Sequence, residues 1–170
     1  MSLSISSIAL TATGQMFGGL ERVLNKGAAH AEAKKVEEGV YLDWRIAPDL
    51  FPMKRQVMIA TELPARGLAR LAGAALPSFD DKEENFADLL ARIEKSHSFI
   101  AGLDKAAIDK DPDTDITVPF GPQEMTFKRA GYFQTFVLPN LYFHVTATYL
   151  HLRNMGVDVG KLDYMNAPAP

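Results

Sequence analysis

The fold is decided by residues 132–153, which read YFQTFVLPNLYFHVTATYLHLR. As one helix, this stretch would span about 33 Å at roughly 1.5 Å per residue, enough to cross a small domain. Apolar side chains occur on nearly every side of that helix, which is typical of a helix at the centre of a protein. The stretch therefore predicts a central helix, and its few polar residues are the candidates for function.

Four polar residues of this helix share one face, because they follow one another at intervals of four, four and three. They are Asn140, His144, Thr148 and His151. Pro139 lies among them and has no backbone N–H to donate. It predicts a kink in the helix and a backbone carbonyl near Thr135 that lacks its helical partner.

The composition is that of an ordinary soluble globular domain. The 170 residues are 47% hydrophobic and 23% charged, and a chain of this length can bury a core without disulfides. There is no cysteine, which excludes disulfides and thiol nucleophiles and is consistent with a cytoplasmic location. The net charge is -3, and no apolar run reaches the roughly 18 residues of a membrane span. We therefore expect neither nucleic acid nor membrane as a partner.

Apolar spacing predicts two long helices in the first half of the chain. The first covers about residues 4–26 and ends at Gly27, with a short polar helix near residues 30–38 after it. The second covers about residues 50–71, with Asp49 as its N-cap.

A third long helix is predicted to begin at Asp80 and to end at Gly102, with His97 on its apolar side. A lone histidine in that position is more often a hydrogen-bonded core residue than a ligand. Alternating residues at 116–120 and 124–127 then predict a short hairpin with a Gly-Pro turn.

These elements together predict an all-α fold, an antiparallel four-helix bundle with one short β-hairpin between helices three and four. Residues 1–165 would form this single domain. Residues 166–170 show no periodicity and are expected to form an extended tail.

No motif in the sequence identifies a reaction. Phosphate-binding loops, nucleophile elbows, zincin motifs and the Glu-x-x-His pairs of di-iron bundles do not occur in it. What the sequence offers is a set of polar residues that a bundle could bring together at one pocket. They are Asp49, Gln56, His97, Asn140, His144 and Thr148.

The spacing of the histidines does not support a histidine-rich metal site. His144 and His151 are seven residues apart, about 10.5 Å along a helix, so they cannot share one ion at Zn–N distances of about 2.0–2.1 Å. The residues four positions from His144 are Asn140 and Thr148, which are poor ligands for zinc or nickel.

We therefore expect no cofactor, and two alternatives remain for the polar cluster. One is a weak divalent-metal site, for zinc or nickel, formed by His144 and Asp49 with a contribution from His97. The other is structural: His144 and Asn140 would bind the carbonyl freed by Pro139 and the Asp49 carboxylate in a satisfied buried network.

Four segments of the chain carry a resemblance to a known family. They read HAEAKKVEEG, RIAPDLFPMKRQV, VPFG with TF soon after, and LPNLYFHVTATYLHLRNMGVDVGKLD. They resemble an uncharacterised bacterial family that is classed by fold in the DinB/YfiT-like metalloenzyme superfamily. The resemblance implies a four-helix bundle with up-down-down-up topology, and often a dimer.

The wider superfamily implied by this resemblance holds a metal with three histidines. One lies on the second helix, and a His-x-x-x-His pair lies on the last. In this chain only His144 matches that pair, since Asn140 occupies the other position. Near the start of the second helix the chain offers Asp49 and no histidine.

Two functions are compatible with these observations. The first is a DinB-like enzyme with a degenerate metal site, whose pocket would bind a small polar or anionic substrate with Arg45 or Arg55 at its mouth. His144, oriented by Asp49, would then be the general base or a weak metal ligand. The alternative is a non-catalytic module, either a small-ligand-binding protein or a dimeric structural one.

A homodimer is the expected assembly. The resemblance implies it, and Tyr142 and Tyr149 are predicted to lie on the outer side of the fourth helix.

Overall fold

The computed structural model describes residues 3–168, which form mainly helices and one two-stranded antiparallel sheet. In chain order the elements are α1 Ile5–Lys34, α2 Glu38–Leu42, α3 Met53–Ala72, α4 Phe86–Ala101, α5 Lys105–Asp109, β1 Asp115–Phe120, β2 Gln123–Lys128, α6 Arg129–Tyr132, a π-helical segment Phe133–Val137, α7 Leu138–Asn154 and α8 Lys161–Tyr164. Within residues 3–168, no helix combines the length and the apolar character needed to cross a membrane.

Four long helices enclose the core. Helix α3 packs against α4 and α7, and α1 packs against the same two helices. Large apolar side chains from all four fill the space between them, including Phe17, Leu68, Leu89 and Leu141, each at most 1% exposed. The predicted helical class and the predicted hairpin are both present.

Helix α1 is longer than predicted. It continues through Gly27 to Lys34, so the separate polar helix expected near residues 30–38 is for the most part its last turns. A Cβ atom at Gly27 would come within 3.0 Å of the Phe86 ring and 2.9 Å of Leu152. The glycine therefore allows close packing of neighbouring helices and does not end α1.

Helix α3 begins later than predicted. Asp49 is not its N-cap, since the helix starts at Met53 with Pro52 in the capping position. The residue before a proline is disfavoured in the α conformation, which prevents the helix from starting in the residues ahead of Pro52. Pro64 lies buried inside the helix, and Gly73 ends it in the left-handed conformation at φ 65°.

The start of α4 also differs from the prediction. The helix begins at Phe86 and not at Asp80, because Asn85 is the residue whose side chain accepts the Asp88 backbone N–H, at 2.8 Å. Asparagine is as good an N-cap as aspartate. The end of the helix, at Gly102, is as predicted.

The hairpin pairs β1 with β2 in the predicted place, with Val118 opposite Met125. Gly121 takes the left-handed conformation that its turn requires, at φ 60°.

Residues 132–153 are helical throughout, but the helix is not uniform. A π-helical segment, Phe133–Val137, lies directly before α7 and places Pro139 in the first turn of that helix. The Asn140 side-chain amide donates to the Phe136 carbonyl at 2.8 Å. The kink expected around Pro139 is thus a π-helical turn ahead of the proline, in which the Asn140 side chain bonds one of the backbone carbonyls.

The C-terminal segment packs against α1. Lys26 forms an ion pair with Asp163 at 2.8 Å, and the Tyr164 carbonyl lies against Gly19. Gly19 therefore allows the C-terminal segment to lie close against α1. Of the predicted tail 166–170, the last two residues lie outside the described range, and the Ala167 N–H donates to the Leu162 carbonyl at 3.0 Å.

Candidate functional site

A histidine and a glutamine meet between α7 and α3. His144 is 7% exposed and Gln56 is completely buried, and His144 Nδ1 lies 2.7 Å from Gln56 Oε1. The Gln56 Nε2 group donates to the Phe51 carbonyl at 3.1 Å, which orients the amide so that its oxygen faces the histidine. An amide oxygen can only accept, so His144 Nδ1 carries the hydrogen and Nε2 carries the lone pair.

The surroundings of His144 keep it neutral. Burial lowers its pKa from 6.5 to about 4, with the positive charge of Arg55 as a second cause. Its Nε2 makes no hydrogen bond to residues 3–168 and is not among their fully enclosed polar atoms, so it remains accessible. A neutral imidazole with a free, accessible Nε2 can accept a proton or a hydrogen bond, or ligate a metal ion.

His151 is a second buried histidine on α7 and has the same tautomer. Its Nδ1 donates to the Ala147 carbonyl at 2.7 Å, and its Nε2 is fully enclosed with no partner among the described residues. Burial lowers the pKa of His151, although the carbonyls of Ala147 and Phe51 favour the charged form. Since His151 is enclosed and His144 is accessible, only His144 can meet a ligand from solution.

Two of the predicted site residues form no hydrogen bond to this pair. Asp49 is exposed on the loop before α3 and forms no hydrogen bond or ion pair within the described range. His97 is exposed on α4, where its ring makes an edge contact with Phe17 of α1, so its predicted place on the apolar side is wrong. The role in orienting His144 that the sequence suggested for Asp49 belongs to Gln56.

The two remaining predicted residues bond to their own helix. Thr148 is fully buried and its hydroxyl donates to the His144 carbonyl at 3.0 Å, while Asn140 binds the Phe136 carbonyl. Of the six predicted residues, the structure thus joins the side chains of His144 and Gln56, and it adds Thr148 through the backbone of His144.

Of the arginines near the His144–Gln56 pair, only Arg55 affects the pKa of His144. Arg55 lies close enough to His144 to affect its pKa and forms an ion pair with Asp81 at 3.1 Å. Arg45, the other arginine considered from the sequence, binds the Leu50 carbonyl at 2.6 Å. Arg66 and Arg70 lie on the same side of α3 as Arg55, a relation that sequence analysis missed although their spacings of eleven and four indicate one helical face.

The donor atoms present do not fit a metal held by three protein side chains. Among residues 3–168 no group of three or more histidine or carboxylate side chains is placed to hold an ion. His144 supplies one nitrogen, the Asn140 amide is bonded to its own helix, and Asp49 is an exposed side chain that bonds neither of them. Any chemistry argued for this site has to rest on His144 and its neighbours.

The fold and the site define a class of protein, the DinB-like helical domains. The chain is similar to the crystal structure of a DinB family member protein from Shewanella denitrificans, with 34% sequence identity and a TM-score of 0.85. The similarity covers 95% of this chain and 93% of that one. No curated protein matches the chain.

The chain belongs to the DUF1993 family, a domain of unknown function whose family model matches residues 6–165. The resemblance to an uncharacterised DinB-like family that the sequence suggested is therefore confirmed.

Proposed function

We propose that this protein binds a small polar or anionic molecule at His144 and acts on it as an enzyme with a degenerate metal site. His144 Nε2 would be the general base, and Gln56 would be the positioning residue that fixes its tautomer. In other enzymes a histidine base is oriented by a hydrogen bond to its second nitrogen, which is the arrangement required here.

The observation that carries this proposal is the state of His144. Gln56 occupies Nδ1 at 2.7 Å, burial keeps the ring neutral, and Nε2 is left without a partner. A neutral imidazole whose Nδ1 is held by a buried partner while Nε2 is accessible is in the state that a general base requires. Arg55 nearby favours a ligand that carries negative charge.

The alternative is a non-catalytic module that uses the same site only to hold a ligand. Turnover assays on small esters, lactones and amides, run beside binding measurements by NMR, separate the two. Turnover that disappears in His144→Gln supports the enzyme. Binding that depends on His144 without any turnover supports the module, and no effect of His144→Gln on either measurement contradicts both. Metal content after purification without a histidine tag tests separately for a divalent ion.

Two finer statements belong to the same proposal. The four long helices would form an antiparallel four-helix bundle, which is supported by the packing of α1 and α3 against both α4 and α7. The protein would be a homodimer formed through an apolar groove of about 510 Å³ between α7 and the loop before α3. Tyr142 is 39% exposed in this groove, whereas Tyr149 packs against Tyr164 and is not part of it.

A further inference from the structure

A second groove, of about 250 Å³, runs along α3 between that helix, the hairpin and the π-helical segment. Its charged residues are Arg55, Arg66, Arg70 and the carboxylate Glu62, and its apolar residues are Ile59, Leu63, Pro119 and Phe136. An open groove that combines guanidinium groups with an aromatic wall fits a ligand with an apolar body and an anionic end.

The charges in and beside this groove do not cancel. Arg66 pairs with Glu62 at 2.8 Å and Arg55 pairs with Asp81, but the buried Arg92 shares both carboxylates, at 3.4 Å and 2.9 Å. Counting Arg70 and Glu83 as well, four arginines face three carboxylates, which leaves one positive charge without a counterpart.

Arg70 is the arginine that supplies this charge. Within residues 3–168, no carboxylate lies within ion-pair distance of it. Its guanidinium lies beside the Tyr132 hydroxyl, at the end of the groove away from Arg55. One unpaired guanidinium matches one monoanionic group, and its planar fork suits a carboxylate.

The aromatic wall is fixed in place. The Phe136 ring stacks on Tyr132, with centroids 5.5 Å apart and planes 16° apart, and it also contacts Phe127 and Phe120 at 6.1 Å. The hairpin and the π-helical segment thus hold Phe136 over the groove, so an apolar body would meet a prepared surface.

We infer that this groove binds a small monocarboxylate, with its carboxylate on Arg70 and its apolar body between Phe136 and the Ile59–Leu63 side of α3. The inference goes beyond the proposed function and does not rest on it. Arg70 and Gln56, the residue that bonds His144, are fourteen positions apart on α3, about 21 Å along the helix, which is more than a small monocarboxylate spans. Arg55 lines the end of the groove away from Arg70 and also lowers the pKa of His144, so the two sites are neighbours with separate ligand-contacting residues.

The first test needs no variant. Benzoate and hexanoate are titrated into the full chain and followed by residue-resolved NMR, beside the matched neutral amides and inorganic phosphate. We expect the carboxylates to shift the signals of Phe136 and Leu63, with the amides binding about tenfold to hundredfold more weakly, as expected when a hydrogen bond to a charged group is lost. Equal binding of acid and amide would overturn the inference, and so would phosphate binding as tightly as the carboxylates.

The second test uses Arg70→Gln, with Lys161→Gln as a control of equal charge change on the exposed side of α8. Arg70→Gln should weaken carboxylate binding about tenfold or more, and Lys161→Gln should not. Equal effects of the two variants would contradict the assignment to Arg70.

His144→Gln then separates the two proposals. Weakening of carboxylate binding by both Arg70→Gln and His144→Gln would contradict the placement of the ligand at Arg70, beyond the reach of His144. Weakening by Arg70→Gln alone is the expected result and supports the carboxylate groove as a site separate from His144. Weakening by His144→Gln alone retains the proposed function and overturns the groove.

Discussion

Gln56 and His144, 88 positions apart in the sequence, are joined by a 2.7 Å hydrogen bond between α3 and α7. The bond links the two helices and determines which nitrogen of the imidazole remains available. Any substitution of Gln56 should therefore affect both stability and the chemistry of His144.

Gln56→Leu is expected to destabilise the protein by about 1–3 kcal/mol, because it leaves the buried Nδ1–H of His144 unpaired. The free energy of unfolding in urea measures this. In the double-mutant cycle with His144→Leu, the coupling should be about 1 kcal/mol. His97→Gln, at an exposed position, is the control and should change stability by less than about 0.5 kcal/mol. Additive effects of Gln56→Leu and His144→Leu would show that the bond contributes nothing.

Stability should fall as the pH is lowered from about 6.5 towards 4. The folded pKa of His144 is about 4 and the unfolded value is 6.5, so in this window the unfolded state binds more protons. The contribution is fully present above the unfolded pKa, and its loss amounts to about 3 kcal/mol at the lower end. Urea unfolding of the wild type and His144→Gln between pH 4 and 7.5 isolates this contribution. Parallel curves for the two proteins would refute it.

Gly19→Ala is expected to destabilise the protein by about 1–3 kcal/mol, because the new Cβ would overlap the Tyr164 carbonyl and displace the C-terminal segment. Gly14→Ala is the matched control in the same helix, where nothing lies within 4 Å of the new atom. It should stabilise the protein by up to about 1 kcal/mol through helix propensity. Thermal melts compare the two, and similar shifts would contradict the packing described for the C-terminal segment.

Arg92→Met is expected to cost about 3–5 kcal/mol, because it removes the one buried cation that pairs with Glu62, Asp81 and Glu83. Arg66→Met breaks the more exposed ion pair between Arg66 and Glu62 on α3 and should cost no more than about 1 kcal/mol. Chemical denaturation at low salt gives both values. A loss for Arg92→Met as small as that for Arg66→Met would mean that the cluster is solvated and not structural.

Leu150→Glu is expected to convert the proposed dimer to a monomer, because Leu150 is 48% exposed in the apolar groove beside α7. Leu162→Glu is the control, since Leu162 is 51% exposed on α8 outside that groove. Light scattering at micromolar concentration measures the mass. A wild type that is monomeric, or a dimer that both variants leave intact, would count against this interface.

Sequence analysis predicted those parts of the fold that depend on local patterns. The apolar spacing of residues 132–153 and the alternation in the hairpin were sufficient for these elements, because each depends on neighbours in sequence. The role of Gly27 could not be predicted, since it depends on Phe86 and Leu152 from two other helices. The same limit applies to helix starts, where the choice of Asn85 over Asp80 as N-cap depends on how the preceding loop runs.

The candidate site was predicted in part, for a similar reason. His144 and Gln56 were both among the predicted residues, but their pairing requires knowing which turns of α3 and α7 face each other. A carboxylate is a natural partner for a buried histidine, which is why the sequence favoured Asp49. The amide of Gln56 satisfies the same nitrogen without bringing any charge into the interior, where charge is costly.

The π-helical segment at Phe133–Val137 has a consequence for how insertions and deletions act on this chain. A π turn contains about one residue more than an α turn, and one residue corresponds to about 100° of rotation around a helix. Removing a single residue there would leave α7 and its histidine in place but turn the hairpin and Tyr132 towards another side of the molecule. The orientation of the aromatic wall over α3 thus depends on the number of residues in the π-helical segment. A deletion in this segment would therefore alter the groove more than most substitutions would.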